Sequence, residues 1–269
     1  MDRTRERADK DLVVLESVGS TNEELMSRAR AGAPHGMAIR ARTQTAGRGR
    51  RAHNWASPDG GLYLSILLRP DLAPTQLPGI PVACGLGVVR ALESLGCAGL
   101  ALKWPNDVIT PAGKLGGILV EAVQTTQGMA AVCGCGINFS LPDAGARTKG
   151  ALPITCLADA LSPGCTMPDI DHAAKTIRSH VLETYETWAR VVAREGEGAP
   201  PLFGIVEDYN RLVAYNNEKV KILSPQQELL GTGTLNGIDP WGRAIVVDQD
   251  GKTLALDAAH VSLRPLACD

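Results

Sequence analysis

GLYLSILLRP, residues 61–70, is apolar along most of its length, rich in strand-forming residues and stopped by a proline. That combination predicts a buried strand. The pattern recurs downstream in GGILVEAV (116–123) and MAAVCGCGINF (129–139), which predict two more buried strands. Upstream, LVVL (12–15) and the alternating GMAIRART (36–43) predict strands, and GLALKWPND (99–107) predicts a strand running into a turn, with Pro105 holding Trp104 extended.

Helical signals lie between these runs. In STNEELMSRARAG (20–32), Ser20 with Glu23, or Thr21 with Glu24, has capping-box spacing, and Gly32 supplies a stop. Residues 76–96 place Leu77, Ile80, Leu86, Val89, Leu92 and Leu95 at roughly helical spacing before Gly96. Ile177, Val181, Tyr185, Trp188 and Val192 predict a long amphipathic helix over 173–194, which EGEGAPP (195–201) interrupts before a short helix in IVEDYNRLV. Residues 142–153 predict a mobile loop. Near residue 216 the character changes. KVKIL, ELLGTGTLNGI, RAIVVD, TLALD and HVSL predict five short strands, the makings of a small β-barrel of SH3 size. The expected class is therefore α+β: a mobile tail over 1–11, a mixed domain over 12–215 and an all-β domain over 216–269.

The formal net charge of -2 excludes a protein that grips nucleic acid over its whole surface, so any anion site must be local. No apolar run is long enough to span a bilayer, and the charged N-terminus lacks the apolar core of a secretory signal. The seven cysteines include no CxxC, and CGC at 133–135 has no matching His or Cys pair beside it. Buried thiols in a reducing cytoplasm are expected, with no metal site.

Four segments carry chemistry. GRGRRAHNW (47–55) puts Arg48, Arg50 and Arg51 in four positions, interleaved with Gly47 and Gly49 and followed by Trp55. The glycines give a ligand close access to the backbone, the arginines offer bidentate donors to phosphate, and the indole offers a stacking surface. Arg40 and Arg42, alternating on the preceding strand, are expected on a solvated charged face, as is Arg51. KWPND (103–107) sets Asn106 and Asp107 at a strand end, where a plain hydrogen-bonded turn is the competing reading. In GKLGGILVE (113–121), Lys114 stands beside two glycines, either as a point charge for an anion or as a guard on an edge strand. GCGIN (134–138) repeats glycines and a polar residue at a strand end. No Walker A, GxGxxG or GxSxG motif occurs.

Taken together, STN (20–22), QTAGRGRRAHNWASPDGGLYLS (44–65), KWPNDV (103–108), KLGGILVE (114–121), GCGINF (134–139) and the tail GIDPWGRAIVVDQDG…VSLRP resemble the biotin protein ligase family, in the family's order and over roughly residues 12–266. The resemblance implies a catalytic domain like that of class II aminoacyl-tRNA synthetases, followed by an SH3-like domain. It implies that biotin's carboxylate attacks the α-phosphate of ATP, giving biotinyl-5′-AMP, and that a lysine of a biotin carboxyl carrier protein or carboxylase carrier domain then takes the biotinyl group. By the same resemblance, Ser20, Thr21, Asn22 and Gln44 would bind biotin's ureido head, and its rings would rest on Gly116 and Gly117. Gly47, Arg48, Gly49 and Arg50 would cover its carboxylate. Lys114, with Arg50, would act at the reacting carboxylate. Arg48, Arg50, Trp55, Lys103, Asn106, Asp107, Asn138 and Arg264 would meet the nucleotide, with Mg²⁺ on the phosphates.

Many bacterial members carry a DNA-binding module ahead of this region. Only 19 residues precede the Ser-Thr-Asn motif here, so a monofunctional ligase without DNA binding is expected, as monomer or homodimer. EGEGAPPLFG is expected to be a surface insertion. A lipoate or octanoate ligase shares the fold and is the competing enzyme, though the Gly-Arg loop and KWPND point away from it. A biotin-sensing DNA-binding protein is the competing non-enzyme.

Overall fold

The computed structural model describes residues 7–9, 12–140 and 152–266. Its first layer is an eight-stranded sheet made of β1 (Arg7–Asp9), β2 (Leu12–Val18), β3 (Ala38–Gln44), β4 (Leu62–Leu68), β5 (Ala101–Lys103), β6 (Asp107–Thr110), β7 (Gly113–Thr125) and β8 (Gly128–Ile137), in the order β1-β2-β3-β4-β8-β7-β6-β5. Only β2 and β3 run parallel, and α1 (Thr21–Arg30) makes the crossover between them. Arg7–Asp9, within the stretch expected as a tail, pairs antiparallel with β2; residues 1–6, 10 and 11 lie outside the described residues, as do residues 142–151 of the expected loop.

β4 is buried at every position because both faces of the sheet are covered. Leu62, Leu64, Ile66 and Leu68 pack toward α2 (Ile80–Ser94) and α4 (Ile170–Glu195), whereas Leu67 joins the smaller cluster under α1 with Leu25, Ile39 and Val132. β8 alternates in the same way: Cys133, Cys135 and Ile137 enter the larger core while Gly134 and Gly136 face the opposite side. The six cysteines among the described residues are free: Cys84, Cys97, Cys133, Cys135 and Cys156 are buried and Cys165 is exposed, while Cys268 lies outside the described residues.

Short α3 (Leu157–Ala160) and α5 (Val206–Leu212) complete the helices. α5 leads into a second, antiparallel sheet of β9 (Lys219–Leu223), β10 (Leu229–Ile238), β11 (Ala244–Val247), β12 (Thr253–Leu256) and β13 (Ser262–Pro265), ordered β12-β11-β10-β9-β13. The five strands fall where the sequence predicts them. Among the described residues, no ladder joins β12 to β13, so the sheet is open rather than closed. Its inner residues Val220, Ile222, Leu235 and Val246 belong to the same core as the first sheet. The junction is also hydrogen bonded: Trp104 Nε1 donates to the Gly242 carbonyl at 3.0 Å, and Asn210 bonds both backbone groups of Ile238.

Three expectations need correction. Ser20 is the N-cap of α1 but makes no capping hydrogen bond, and Thr21 and Asn22 spend their side chains elsewhere. Arg40 is buried, not solvated, because it pairs with Asp171 in the first turn of α4; Arg42 stays exposed beside Asp59. EGEGAPPLFG lies only partly at the surface: Glu195, Glu197, Gly198, Phe203 and Gly204 are exposed, but Ala199, Pro201 and Leu202 are buried. Leu202 is fully buried, Trp188 Nε1 donates to the Pro201 carbonyl at 3.0 Å, and Gln76 Nε2 donates to the Gly196 carbonyl at 2.9 Å, so the segment seals the end of the α2–α4 pair.

α2 and α4 come into close contact at Gly87, where a Cβ would lie 2.7 Å from Val181 Cα and 2.9 Å from the His180 carbonyl oxygen. Gly87→Val is therefore expected to lower the unfolding free energy by about 2 kcal/mol. Gly198→Ala, which meets nothing within 4 Å, is the control and is expected to stay within about 0.5 kcal/mol of the parent in a denaturant titration.

Candidate active site

The start of α1, the loop between β3 and β4, the glycine-bearing stretches of β7 and β8 and the edge of the second sheet enclose a cavity of about 440 Å³. One end is polar. Gln44 Oε1 accepts from Thr21 N at 2.9 Å and from Thr21 Oγ1 at 3.0 Å, while Gln44 Nε2 donates to Ser57 Oγ at 2.8 Å. Ser65 Oγ lies 2.8 Å from Thr21 Oγ1 and 2.6 Å from Asn22 Oδ1; its single proton can serve one of them at a time. Asn22 Nδ2 donates to Glu121 Oε2 at 2.8 Å. Ser20, Thr21, Asn22 and Gln44 thus stand together, with Thr21 and Asn22 tied to Ser65 on β4, Asn22 to Glu121 on β7 and Gln44 to Ser57.

The floor is made by missing side chains. A Cβ on Gly134 would collide with the Asn22 amide, and one on Gly136 would lie 2.7 Å from Trp55 Nε1. Gly117 is also under the indole, its Cβ position 3.3 Å from the ring. Trp55 Nε1 is buried and has no hydrogen-bond partner among the described residues. The loop that carries Trp55 is a tight hairpin, closed by Gly49 N to the His53 carbonyl at 2.7 Å and by Trp55 N to the Gly47 carbonyl at 2.9 Å.

The other end is cationic. Arg48, Arg50, Arg51, Lys103, Lys114 and Arg264 line the cavity, and Asp107 is the one carboxylate among its lining residues. Asp107 lies 2.6 Å from Lys114 Nζ and 3.5 Å from Lys103 Nζ. Burial by itself would raise the Asp107 pKa, but the two ammonium groups outweigh it and hold the carboxyl below its ordinary range. Burial lowers the Lys103 pKa, with Asp107 opposing. Burial and the neighbouring Arg51 lower that of Arg50, which remains charged at neutral pH. Lys114 Nζ also sits 5.1 Å from the Trp55 ring centroid, within cation–π range.

Three of the residues singled out in the sequence stand behind the wall instead of lining the cavity. Gly47 packs against Ser57, Gly116 against the Gly136 carbonyl, and Asn138 Nδ2 donates to the Lys114 and Thr155 carbonyls at 3.2 and 3.1 Å, fixing the backbone under Lys114. Asn106 lines the cavity and donates to the Ile118 carbonyl at 3.1 Å. Arg264 lines it and bonds the Gln227 amide oxygen. Arg51, expected on the surface, instead donates from Nη2 to the Ala258 and Val261 carbonyls at 2.7 and 3.0 Å, and Arg50 Nη2 donates to Ala258 at 3.0 Å. The turn before β13 thereby holds the loop. Ser57, Ser65 and Glu121 are contributors that sequence reasoning missed. Glu121 closes the KLGGILVE motif, but nothing in its spacing separates it from an ordinary solvated carboxylate.

Residues 14–138 match the model of the Biotin/lipoate A/B protein ligase family. The chain is 32% identical over 255 residues to the bifunctional ligase/repressor BirA of Escherichia coli, covering 94% of this chain and 74% of that protein. It is 32% identical over 265 residues to the biotin–[acetyl-CoA-carboxylase] ligase of Mycobacterium tuberculosis, covering 94% and 88%. The biotin protein ligase of Aquifex aeolicus, solved in complex with biotin and ATP, superposes with a TM-score of 0.74 at 28% identity over 96% of this chain and all of that one. On motif order, on extent of identity and on fold, the chain belongs to the biotin protein ligase family.

Proposed function

We propose that this chain activates biotin with ATP to give biotinyl-5′-AMP and then transfers biotin to a lysine of a carboxylase carrier domain. The observation that carries this reading is one cavity with two unlike ends: a locked array of hydroxyl and amide groups at α1, and six cationic side chains opposed by one carboxylate. The first end suits an uncharged ureido head. The second suits two anions that must be brought together.

In the first step a biotin carboxylate oxygen attacks the α-phosphorus, the bond to the β-phosphate oxygen breaks and pyrophosphate leaves. Arg48, Arg50 and Lys114 would screen the repulsion between carboxylate and triphosphate, and Trp55 would give the base a flat wall and one free N–H donor. In the second step the carrier lysine's neutral amine attacks the acyl carbon, AMP leaves and the amine's proton passes to water. Positioning and charge supply the catalysis, and no enzyme-bound covalent intermediate is needed. Mg²⁺ would enter with the triphosphate as part of the substrate, since Asp107 is the only carboxylate in the lining and already holds two lysines.

We read residues 12–215 as the catalytic unit and 216–269 as an SH3-like module whose β13 and preceding turn complete the cavity wall. The acceptor is taken to be a protein lysine, and no DNA partner is expected of a chain whose formal net charge is -2. No helix among the described residues is long and apolar enough to cross a membrane.

Incubating a carrier domain with the protein, biotin and MgATP should give a band on a streptavidin blot, together with biotin-dependent ATP–pyrophosphate exchange. Exchange with lipoate alone would overturn the assignment. Lys114→Ala should slow exchange by about a hundredfold or more at unchanged circular dichroism; near-normal exchange would leave Lys114 with a purely structural part. Asp107→Asn should destabilise the fold by about 3 kcal/mol at neutral pH, because it leaves Lys103 buried without a counter-charge. The folded pKa of Asp107 is depressed, so its contribution is complete above the ordinary carboxylate range and fades as pH falls through the folded value. The stability gap between parent and variant should therefore hold at pH 7 and shrink below about pH 4.

A further inference from the structure

Glu121 bonds both a residue of the polar end and a residue of the 47–55 loop. Its Oε2 accepts from Asn22 Nδ2 at 2.8 Å, and its Oε1 meets Arg48 Nη2 at 2.8 Å. The carboxylate is half-buried, 19% exposed, so the pair is shielded more than the second contact of Arg48, with the exposed Glu23 at 2.6 Å. Arg48 therefore does not present a bare cation to the cavity. Two carboxylates, one on α1 and one on β7, clamp it, and with it the hairpin that carries Arg50 and Trp55. Asn22 in turn has its amide orientation fixed. Nδ2 points at Glu121, which leaves Oδ1 facing Ser65 Oγ at 2.6 Å.

We propose that Glu121 is a positioning residue that couples closure of the 47–55 loop to the polar head site, one carboxylate oxygen orienting Asn22 and the other holding Arg48. The idea rests on the biotin-activating reading above. A head group that pulls on Asn22 shifts Glu121, and Glu121 carries that shift to Arg48 within one side chain. Loop closure and occupation of the head site then favour each other, as two events that share one hydrogen-bonded group must. Glutamine at this position has one acceptor oxygen where glutamate has two, so it can keep the bond to Asn22 only by turning its own N–H₂ group toward the Arg48 donors, and the Arg48 contact is lost.

The test measures ATP–pyrophosphate exchange, varying biotin and ATP separately, and trypsin cleavage after Arg48, Arg50 and Arg51 with and without biotin. Glu121→Gln is expected to raise the KM for biotin about tenfold. It should also abolish the protection that biotin gives the loop in the parent. Arg48→Gln should produce the same loss of protection, and the double variant should be no worse than the poorer single one, since both remove one contact. Equal protection in parent and Glu121→Gln, or additive effects in the double variant, would overturn the proposal. Should Glu121→Gln fail to fold, the comparison of Arg48→Gln with parent on the same two readouts decides it: unchanged protection overturns the coupling and lost protection upholds it. A parent that shows no biotin-dependent exchange at all would instead sink the functional reading on which the proposal rests.

Discussion

The cavity exists because β8 alternates cysteine and glycine. Cys133 and Cys135 fill the core under α2 and α4, and the intervening Gly134 and Gly136 leave the other face of the strand bare. Into that space come the Asn22 amide from α1 and the Trp55 indole from the loop, both closer to the backbone than any Cβ would permit. A side chain at either glycine would push one of them off the sheet. The polar end of the cavity, the position of the indole and the Lys114 cation beside it all depend on this close approach.

Charge is arranged with similar economy. A chain of net charge -2 has no general attraction for anions, yet it gathers six cations round one cavity. Such a cluster would repel itself if left bare. Asp107 sits between Lys103 and Lys114, Glu23 and Glu121 hold Arg48, and backbone carbonyls of the turn before β13 take the outward donors of Arg50 and Arg51. The cations are thereby fixed in place before any substrate arrives, so little reorganisation remains for the moment when negative charge enters.

Much of this was legible in the sequence, for identifiable reasons. β4 and β9 could be placed because continuous or alternating apolar runs bounded by turn residues have few other uses. α4 could be placed because five apolar residues keep helical spacing over four turns. The site segments declared themselves through glycines beside charges, a combination that a plain surface loop has little reason to keep. What pattern could not give was the partner of each polar group. Arg40 and Arg42 are two residues apart on one strand, yet Asp171 from a distant helix buries the first and Asp59 leaves the second exposed. Glycine and proline in EGEGAPPLFG indicated a loop correctly but were silent on Leu202, which the α2–α4 pair buries. Ser20 and Thr21 had the spacing of helix caps, but Ser20 makes no capping bond, and Thr21 donates to Gln44 and accepts from Ser65 instead.

The Arg51 latch has a consequence for how the molecule assembles. The contact between Arg51 and Ala258 joins positions 207 apart in the chain. A link of such long range closes a large loop and gains nothing until both sheets have formed and docked, so it belongs to the late part of folding. During synthesis the strands that floor the cavity emerge well before the turn that fastens the 47–55 loop. The cavity wall is therefore finished last, when the chain is nearly complete.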